Sequence, residues 1–229
     1  MFFISAPFGN YLNFKNAISV TGTFTVHPRP GRLLQIIKTL RYTKDGWRNK
    51  LGVRNPGIHK GMWNTKYNQV MSIAALEPDD WNTLIDTISA ERNIELNISC
   101  PNLDACRDTM NWKGFEKFPK HMRGKWCIVK VPPIANNSMI DKLIDLGYKQ
   151  IHASNTVPTD KGGLSGKIIT PYTMRIIDYI KNKYPHAEII AGGGVYSKQD
   201  AMDYLNAGAD HISLGSVSFT PWKIKSIIT

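Results

Sequence analysis

The chain has 229 residues, room for one large domain or two small ones. With 42% hydrophobic and 21% charged residues it has an ordinary globular composition, which excludes intrinsic disorder and collagen-like or low-complexity structure. Lysine and arginine number 29 against 18 acids, a net charge of +11 that suits an anionic partner: a phosphate cofactor, an acidic substrate or nucleic acid. The basic residues are dispersed rather than run together, which argues against a dedicated nucleic-acid arm. No window approaches about 18 uninterrupted apolar residues, so a transmembrane helix is excluded. The opening Met1–Lys15 has neither a basic start nor a long apolar run, which argues against a signal peptide. Three cysteines, Cys100, Cys106 and Cys127, make no disulfide framework and suit a reducing compartment.

Taken in chain order, short apolar runs predict strands at Phe2–Ala6, Ala17–Gly22, Val70–Ala75 and Ile94–Ser99. Four more follow at Cys127–Pro132, Gln150–Asn155, Glu188–Gly193 and His211–Ser216. Several are too continuously apolar to have one wet face, as in a buried parallel sheet. Amphipathic helices lie between the later strands. Pro78-Asp79-Asp80 opens one, with Trp81, Leu84, Ile85 and Ile88 as its stripe. Asn136–Leu146 is another, stopped by Gly147. Thr170-Pro171 begins a third, and Ser197 caps a fourth that ends at Asn206-Ala207-Gly208. Strand–helix alternation over eight strands predicts one (β/α)₈ TIM barrel spanning 1–229, compact, with a reduced first helix because only Phe8–Asn16 separate the first two strands. A doubly wound sheet is the competing architecture.

In such a barrel the chemistry sits where strands end. Strand 4 ends in Asn97-Ile98-Ser99-Cys100-Pro101-Asn102, strand 5 carries Lys130, and strand 6 ends in Ser154-Asn155-Thr156. Glycines close strand 7 (Gly192-Gly193-Gly194) and strand 8 (Gly215-Ser216), where backbone N–H groups can approach a phosphate. Gly162-Gly163-Leu164-Ser165-Gly166 reads as a second glycine loop, a flap or a cofactor-contacting turn. Lys130 inside an apolar strand could balance negative charge on a bound ring, or reach solvent at the barrel's end. Cys100 in a strand-end loop could be a base or nucleophile if its thiol acidity is raised; a lone cysteine is also commonly an inert core thiol. Asn49, Asn97, Asn102 and Asn155 could pair with the amide edges of a planar ring, or be turn residues. The six histidines have no metal-pair spacing, so no metal is expected. There is no dinucleotide fingerprint and no P-loop.

The run Glu95-Leu96-Asn97-Ile98-Ser99-Cys100-Pro101-Asn102 resembles the signature of the dihydroorotate dehydrogenases. So do Gly162–Gly166, the stretch Ile190–Ser197 with Asp200-Ala201, and, nearer the front, His27–Gly31 and Asn49–Gly57. The resemblance implies an FMN-binding (β/α)₈ barrel that oxidises dihydroorotate to orotate in pyrimidine biosynthesis. It makes Cys100 the base at C5, and Asn49, Asn97, Asn102 and Asn155 the amides that hold the pyrimidine. It makes Lys130, Ser154, Thr156, Ser165 and Gly166 flavin contacts, and Gly193, Gly194, Gly215 and Ser216 the phosphate cradle. Cysteine at position 100 and the lack of an N-terminal membrane segment imply the soluble, cytoplasmic branch, which implies a homodimer and no membrane or nucleic-acid partner.

Two departures stand out. Members carry a lysine after strand 2 or after strand 1; here Gly22 and Asn10 occupy those places, and Arg29 or Lys44 would have to substitute. The chain is also shorter than other members around helix 1, after strand 4 and at the C-terminus. These departures keep open an FMN-binding barrel without dehydrogenase activity, in a binding or regulatory role. The net charge keeps open a dihydrouridine-synthase-like enzyme acting on tRNA, against which stand Ser99 before Cys100 and the sequence His152–Thr156.

Overall fold

Eight parallel strands close into a barrel in the computed structural model, which describes residues 1–77, 79–99 and 114–229. In chain order the strands are β1 (Phe2–Ile4), β2 (Ala17–Phe24), β3 (Arg41–Thr43), β4 (Gly46–Asn49), β5 (Val70–Ile73) and β6 (Asn93–Asn97). They continue with β7 (Cys127–Val131), β8 (Gln150–Ala153), β9 (Val157–Thr159), β10 (Gly162–Ser165), β11 (Glu188–Gly192) and β12 (His211–Leu214). The barrel runs β1-β2-β5-β6-β7-β8-β11-β12 and closes through β12 onto β1, with Phe3 opposite Ser213. All eight strands expected from the sequence are present.

Strict alternation builds two cores. Ile94 and Leu96 of β6, Val129 and Val131 of β7, Ile151 of β8 and Ile189 of β11 face outward and are fully buried under the helices. In chain order the helices are α1 (Arg32–Thr39), which buries none of its residues, α2 (Ile58–Asn64), α3 (Asp80–Thr87) and α4 (Phe118–His121). Then come α5 (Asn137–Asp145), α6 (Thr170–Lys183), α7 (Lys198–Asn206) and α8 (Trp222–Ile228). Two of them carry side-chain caps: the Asn136 side chain accepts from Met139 N–H, and Ser197, the cap read in the sequence, forms a reciprocal capping box with Asp200. The first connection holds only a three-residue helical turn, Phe8–Asn10, which is the expected reduction. No helix among the described residues is long and apolar enough to cross a membrane.

The alternate residues point inward and fill the barrel's lower half with Phe3, Val20, Val70, Trp126, Ile128 and Ile190. Phe3 and Trp126 meet edge to face at 5.0 Å. One step further along the strands the inward residues become Ser5, Ser72, Glu95, Lys130, His152 and Ser213, all buried. The change from apolar plug to polar layer fixes which end of the barrel holds a site.

The sequence did not announce the small antiparallel sheet β3-β4-β10-β9. The stretch expected as a glycine loop is its strand β10, with Gly163 opposite Asn49 and Ser165 opposite Trp47. Gly46 permits this pairing: its φ is +129°, and a Cβ there would run into the Ser165 carbonyl oxygen. Buried Asn55 ties the two front segments together. It accepts from Thr25 N–H (3.1 Å) and Gly57 N–H (2.8 Å) and donates to the Thr25 hydroxyl (2.8 Å).

Candidate active site

A cavity of about 310 Å³ opens where the barrel strands end, in the size range of small-molecule sites. Its inner wall comes from three adjacent strands. Asn97 of β6 pairs with Lys130 of β7, and Lys130 pairs with His152 of β8. Lys130 is only 5% exposed, lines the cavity, and its ammonium has no hydrogen-bond partner among the described residues. Beneath it lies Glu95, fully buried; the Ser72 hydroxyl donates to Oε1 at 2.8 Å and Nδ1 of His152 meets Oε2 at 2.6 Å.

The charges of this trio follow from its surroundings. Burial pushes the Glu95 carboxyl up, but Lys130 and His152 outweigh it and hold the group down at about 2. Burial, followed by the field of Lys130, drives the His152 imidazole below its ordinary value. His152 is therefore neutral, gives its Nδ1–H to the carboxylate, and carries a lone pair on Nε2. The ring needs room: a Cβ on Gly192 would stand 3.2 Å from Nε2. The first glycine of the run Gly192–Gly194 thus makes space for an imidazole.

The amides are pre-oriented. The backbone N–H of Ser99 donates to Asn97 Oδ1 (3.2 Å), as does the Ser99 hydroxyl (2.8 Å), while Asn97 Nδ2 donates to the Thr23 hydroxyl (3.1 Å). Asn97 thereby turns its amino group, with one N–H still to give, toward the cavity side of β6. Asn155 accepts from Thr156 N–H (2.8 Å) and donates to the Ser99 hydroxyl (2.9 Å), so its oxygen keeps a second lone pair. Asn49 lines the cavity from β4.

The remaining sequence candidates divide into two groups. Ser154, Thr156, Ser165, Gly193, Gly215 and Ser216 line the cavity. Gly166 and Gly194 stand behind it, against each other: a Cβ on Gly194 would lie 3.3 Å from the Gly166 carbonyl oxygen. Gly193 (φ +92°) cannot carry a side chain without striking Ile169. Gly215 has the open side, with Ser5 Oγ 3.7 Å from where a Cβ would be. Cys100 and Asn102 lie outside the described residues. Cys127 is a different kind of thiol, which burial pushes up to about 12.

Sequence reasoning missed three cavity features. Glu95 and His152, 57 residues apart, give no local sign of pairing. Trp47 of β4 lines the cavity, stacked on Phe219 at 4.2 Å, which itself meets Phe8 edge to face. The third is a cation. Asn10 and Gly22, which stand where a lysine was expected, bond each other through Gly22 N–H to Asn10 Oδ1 and Asn10 Nδ2 to Gly22 O, both 3.2 Å. The cation that reaches them is neither Arg29, which turns to the Gly52 carbonyl, nor exposed Lys44, but Arg32, whose Nη2 donates to Gly22 O at 3.4 Å. The signal for it was the arginine at the first position of a helix set up by Pro30-Gly31.

A flavin fits these residues. Lys130 supplies a buried cation bare of hydrogen-bond partners among the described residues, as an electron-rich ring edge requires. The hydroxyls of Ser154, Thr156 and Ser165 and the backbone at Gly193, Gly215 and Ser216 could hold the rest.

The family model described as dihydroorotate dehydrogenase matches residues 8–229. The catalytic subunit of dihydroorotate dehydrogenase B (NAD(+)) from Thermotoga petrophila is 30% identical over 93% of this chain and 88% of its own length. The protein of the same name from Malacoplasma penetrans is 28% identical over 77% of this chain and 68% of its own length. Among solved structures, the dihydroorotate dehydrogenase of Eimeria tenella in complex with ferulenol superposes with a TM-score of 0.72 at 16% identity, over 92% of this chain and 73% of that one, a likeness of fold.

Proposed function

Because this chain belongs to the dihydroorotate dehydrogenase family, we propose that it oxidises dihydroorotate to orotate with FMN as its flavin and Cys100 as its base. The observation that carries the reading is convergence: Asn97 of β6, Lys130 of β7 and Asn155 just past β8 come onto one cavity, the two amides already oriented by hydrogen bonds to Ser99, Thr23 and Thr156. A bound flavin supplies the acceptor for two electrons.

The chain's own part is to hold a flat ring, take one proton and balance charge. Asn97 donates to the pyrimidine edge and Asn155 accepts from it, and Asn49 and Asn102 complete the set of amides. Cys100 as thiolate takes the C5 proton at Sγ as a hydride departs from C6, which leaves the C5–C6 double bond. Lys130 faces the negative charge that builds up in the cavity. Only 5% exposed and with Glu95 fixed beneath it, that cation is in place before the reaction begins.

The test is a visible absorption spectrum. Protein loaded with FMN should bleach when dihydroorotate is added without oxygen. Cys100→Ala should slow bleaching by about 10²–10⁴-fold with FMN still bound. Protein that binds no FMN, or FMN that dihydroorotate never bleaches, removes the reading; bleaching at the wild-type rate in Cys100→Ala removes the base assignment alone.

A further inference from the structure

Two guanidinium groups in the cavity wall have no counter-ion among the described residues. Arg32, at the start of α1, and Arg54, in the segment before α2, both line the cavity. Arg32 donates from Nε to the Arg54 carbonyl (3.0 Å), from Nη1 to the Tyr11 hydroxyl (3.1 Å) and from Nη2 to the Gly22 carbonyl (3.4 Å). All three acceptors are neutral. Among the described residues no carboxylate forms an ion pair with either arginine. Arg54 donates from Nη1 to the Pro30 carbonyl (3.4 Å), and its Nε is buried with no hydrogen-bond partner among the described residues.

The surroundings strengthen the imbalance. From residue 27 to residue 54 there are eight lysines and arginines and one acid, Asp45. Ile36, Leu40, Leu51 and Val53 line the same wall, and an apolar wall keeps the local dielectric low. Of Arg32's five N–H groups, three are taken by the fixed acceptors that aim it, and two remain. A planar fork with spare donors matches a planar anion with two oxygens.

We propose that Arg32, backed by Arg54, is the carboxylate-binding residue of this cavity and makes the chain selective for flat substrates that carry a carboxylate. For its natural ligand this rests on the dihydroorotate reading; the anion site itself does not. It fills with a guanidinium from α1 the place left uncharged by Asn10 and Gly22.

The experiment is equilibrium titration of FMN-loaded protein, followed by flavin absorbance and calorimetry. Two pairs of ligands differ in the carboxylate: orotate against uracil, and benzoate against benzamide. Arg32→Ala should weaken orotate about 10–100-fold and leave uracil and FMN affinity unchanged. Arg32→Lys, which keeps the charge without the fork and leaves folding undisturbed at this half-exposed position, should lose less, about 3–10-fold. Arg54→Ala should weaken orotate by a similar smaller factor. Orotate affinity unchanged in Arg32→Ala overturns the proposal, as does a loss shared equally by uracil. A fall in FMN affinity instead assigns the guanidinium to the cofactor's phosphate and also overturns it. Wild-type protein that binds benzoate through Arg32 but not orotate upholds the anion site and removes the substrate reading. Wild-type protein that binds neither carboxylate overturns the anion site.

Discussion

The lower and upper halves of the barrel interior are built by the same strands, one residue pair apart, and they do opposite things. Below, Ile128 of β7 and Ile190 of β11 join Phe3, Val20, Val70 and Trp126 in a dry plug. Above, Lys130 of β7 and Gly192 of β11 line a cavity floored by His152 and, beneath it, Glu95. Burial in the plug is favourable at roughly 25 cal/mol per Å² of apolar surface. Burial in the polar layer is unfavourable unless each group finds a partner, and Glu95 finds two. Stability therefore comes from one half of the interior, and the other half is what that stability makes possible.

The sharpest way to break this contrast is at Trp126. Trp126→Ala removes the largest ring of the plug and should lower unfolding stability by about 3–5 kcal/mol in urea. Whatever protein remains folded should load FMN with wild-type affinity, because no atom of the ring lines the cavity. A variant that loses FMN affinity at full stability would erase the division between the halves. Next in size is His152→Leu, which leaves Oε2 of Glu95 with no donor and should cost about 2–3 kcal/mol. His152→Gln keeps a donor and should restore most of it. Equal losses in the two variants would mean that ring packing, not the hydrogen bond, matters there.

How much of this was legible in the sequence follows the same division. The eight barrel strands stood out because strands buried on both faces are short apolar runs, and the helices between β6 and β12 announced themselves through Asn136, Thr170-Pro171 and Ser197. Strand-end position alone flagged Asn97, Lys130, Ser154, Asn155 and Thr156, and all of them line the cavity. The sheet over the mouth was not legible. Gly162–Ser165 has no alternation, and its partner strand lies 118 residues away at the Ser165–Trp47 contact. Arg32 and the Glu95–His152 pair were missed for the same reason: long-range geometry decides them. In the case of Gly192, the space it leaves is for a ring on another strand.

The ionisation of the polar layer sharpens the contrast further. Both Glu95 and His152 are held below their ordinary values, 4.5 and 6.5, in the folded chain. For a depressed group the unfolded chain takes its proton first, so stability is complete above the ordinary value and falls as the pH drops through it. The urea midpoint should be flat near neutrality, decline below pH 6.5, and decline again below 4.5, at no more than about 1.4 kcal/mol per pH unit for each group. His211, which burial also lowers, contributes to the first decline. His152→Gln should reduce that first limb and spare the second. An unchanged limb would show that His152 is protonated in the folded protein.

The smallest effect expected lies at the border of the two halves, where Ser5 and Ser213 share a hydrogen bond of 2.6 Å. Ser5 is 7% exposed and lines the cavity, so its hydroxyl can turn to water if its partner is removed; Ser213 is 1% exposed and does not line it. Ser5→Ala should therefore cost about 1–2 kcal/mol, because it strands a hydroxyl with nothing to bond, and Ser213→Ala less than about 1. The double variant removes both groups and should fall below Ser5→Ala alone, near neutral. That ordering depends on one side of the pair being wet and the other dry. If the two single variants cost the same and the double costs their sum, water does not stop at Ser5, and the boundary between plug and cavity lies lower in the barrel.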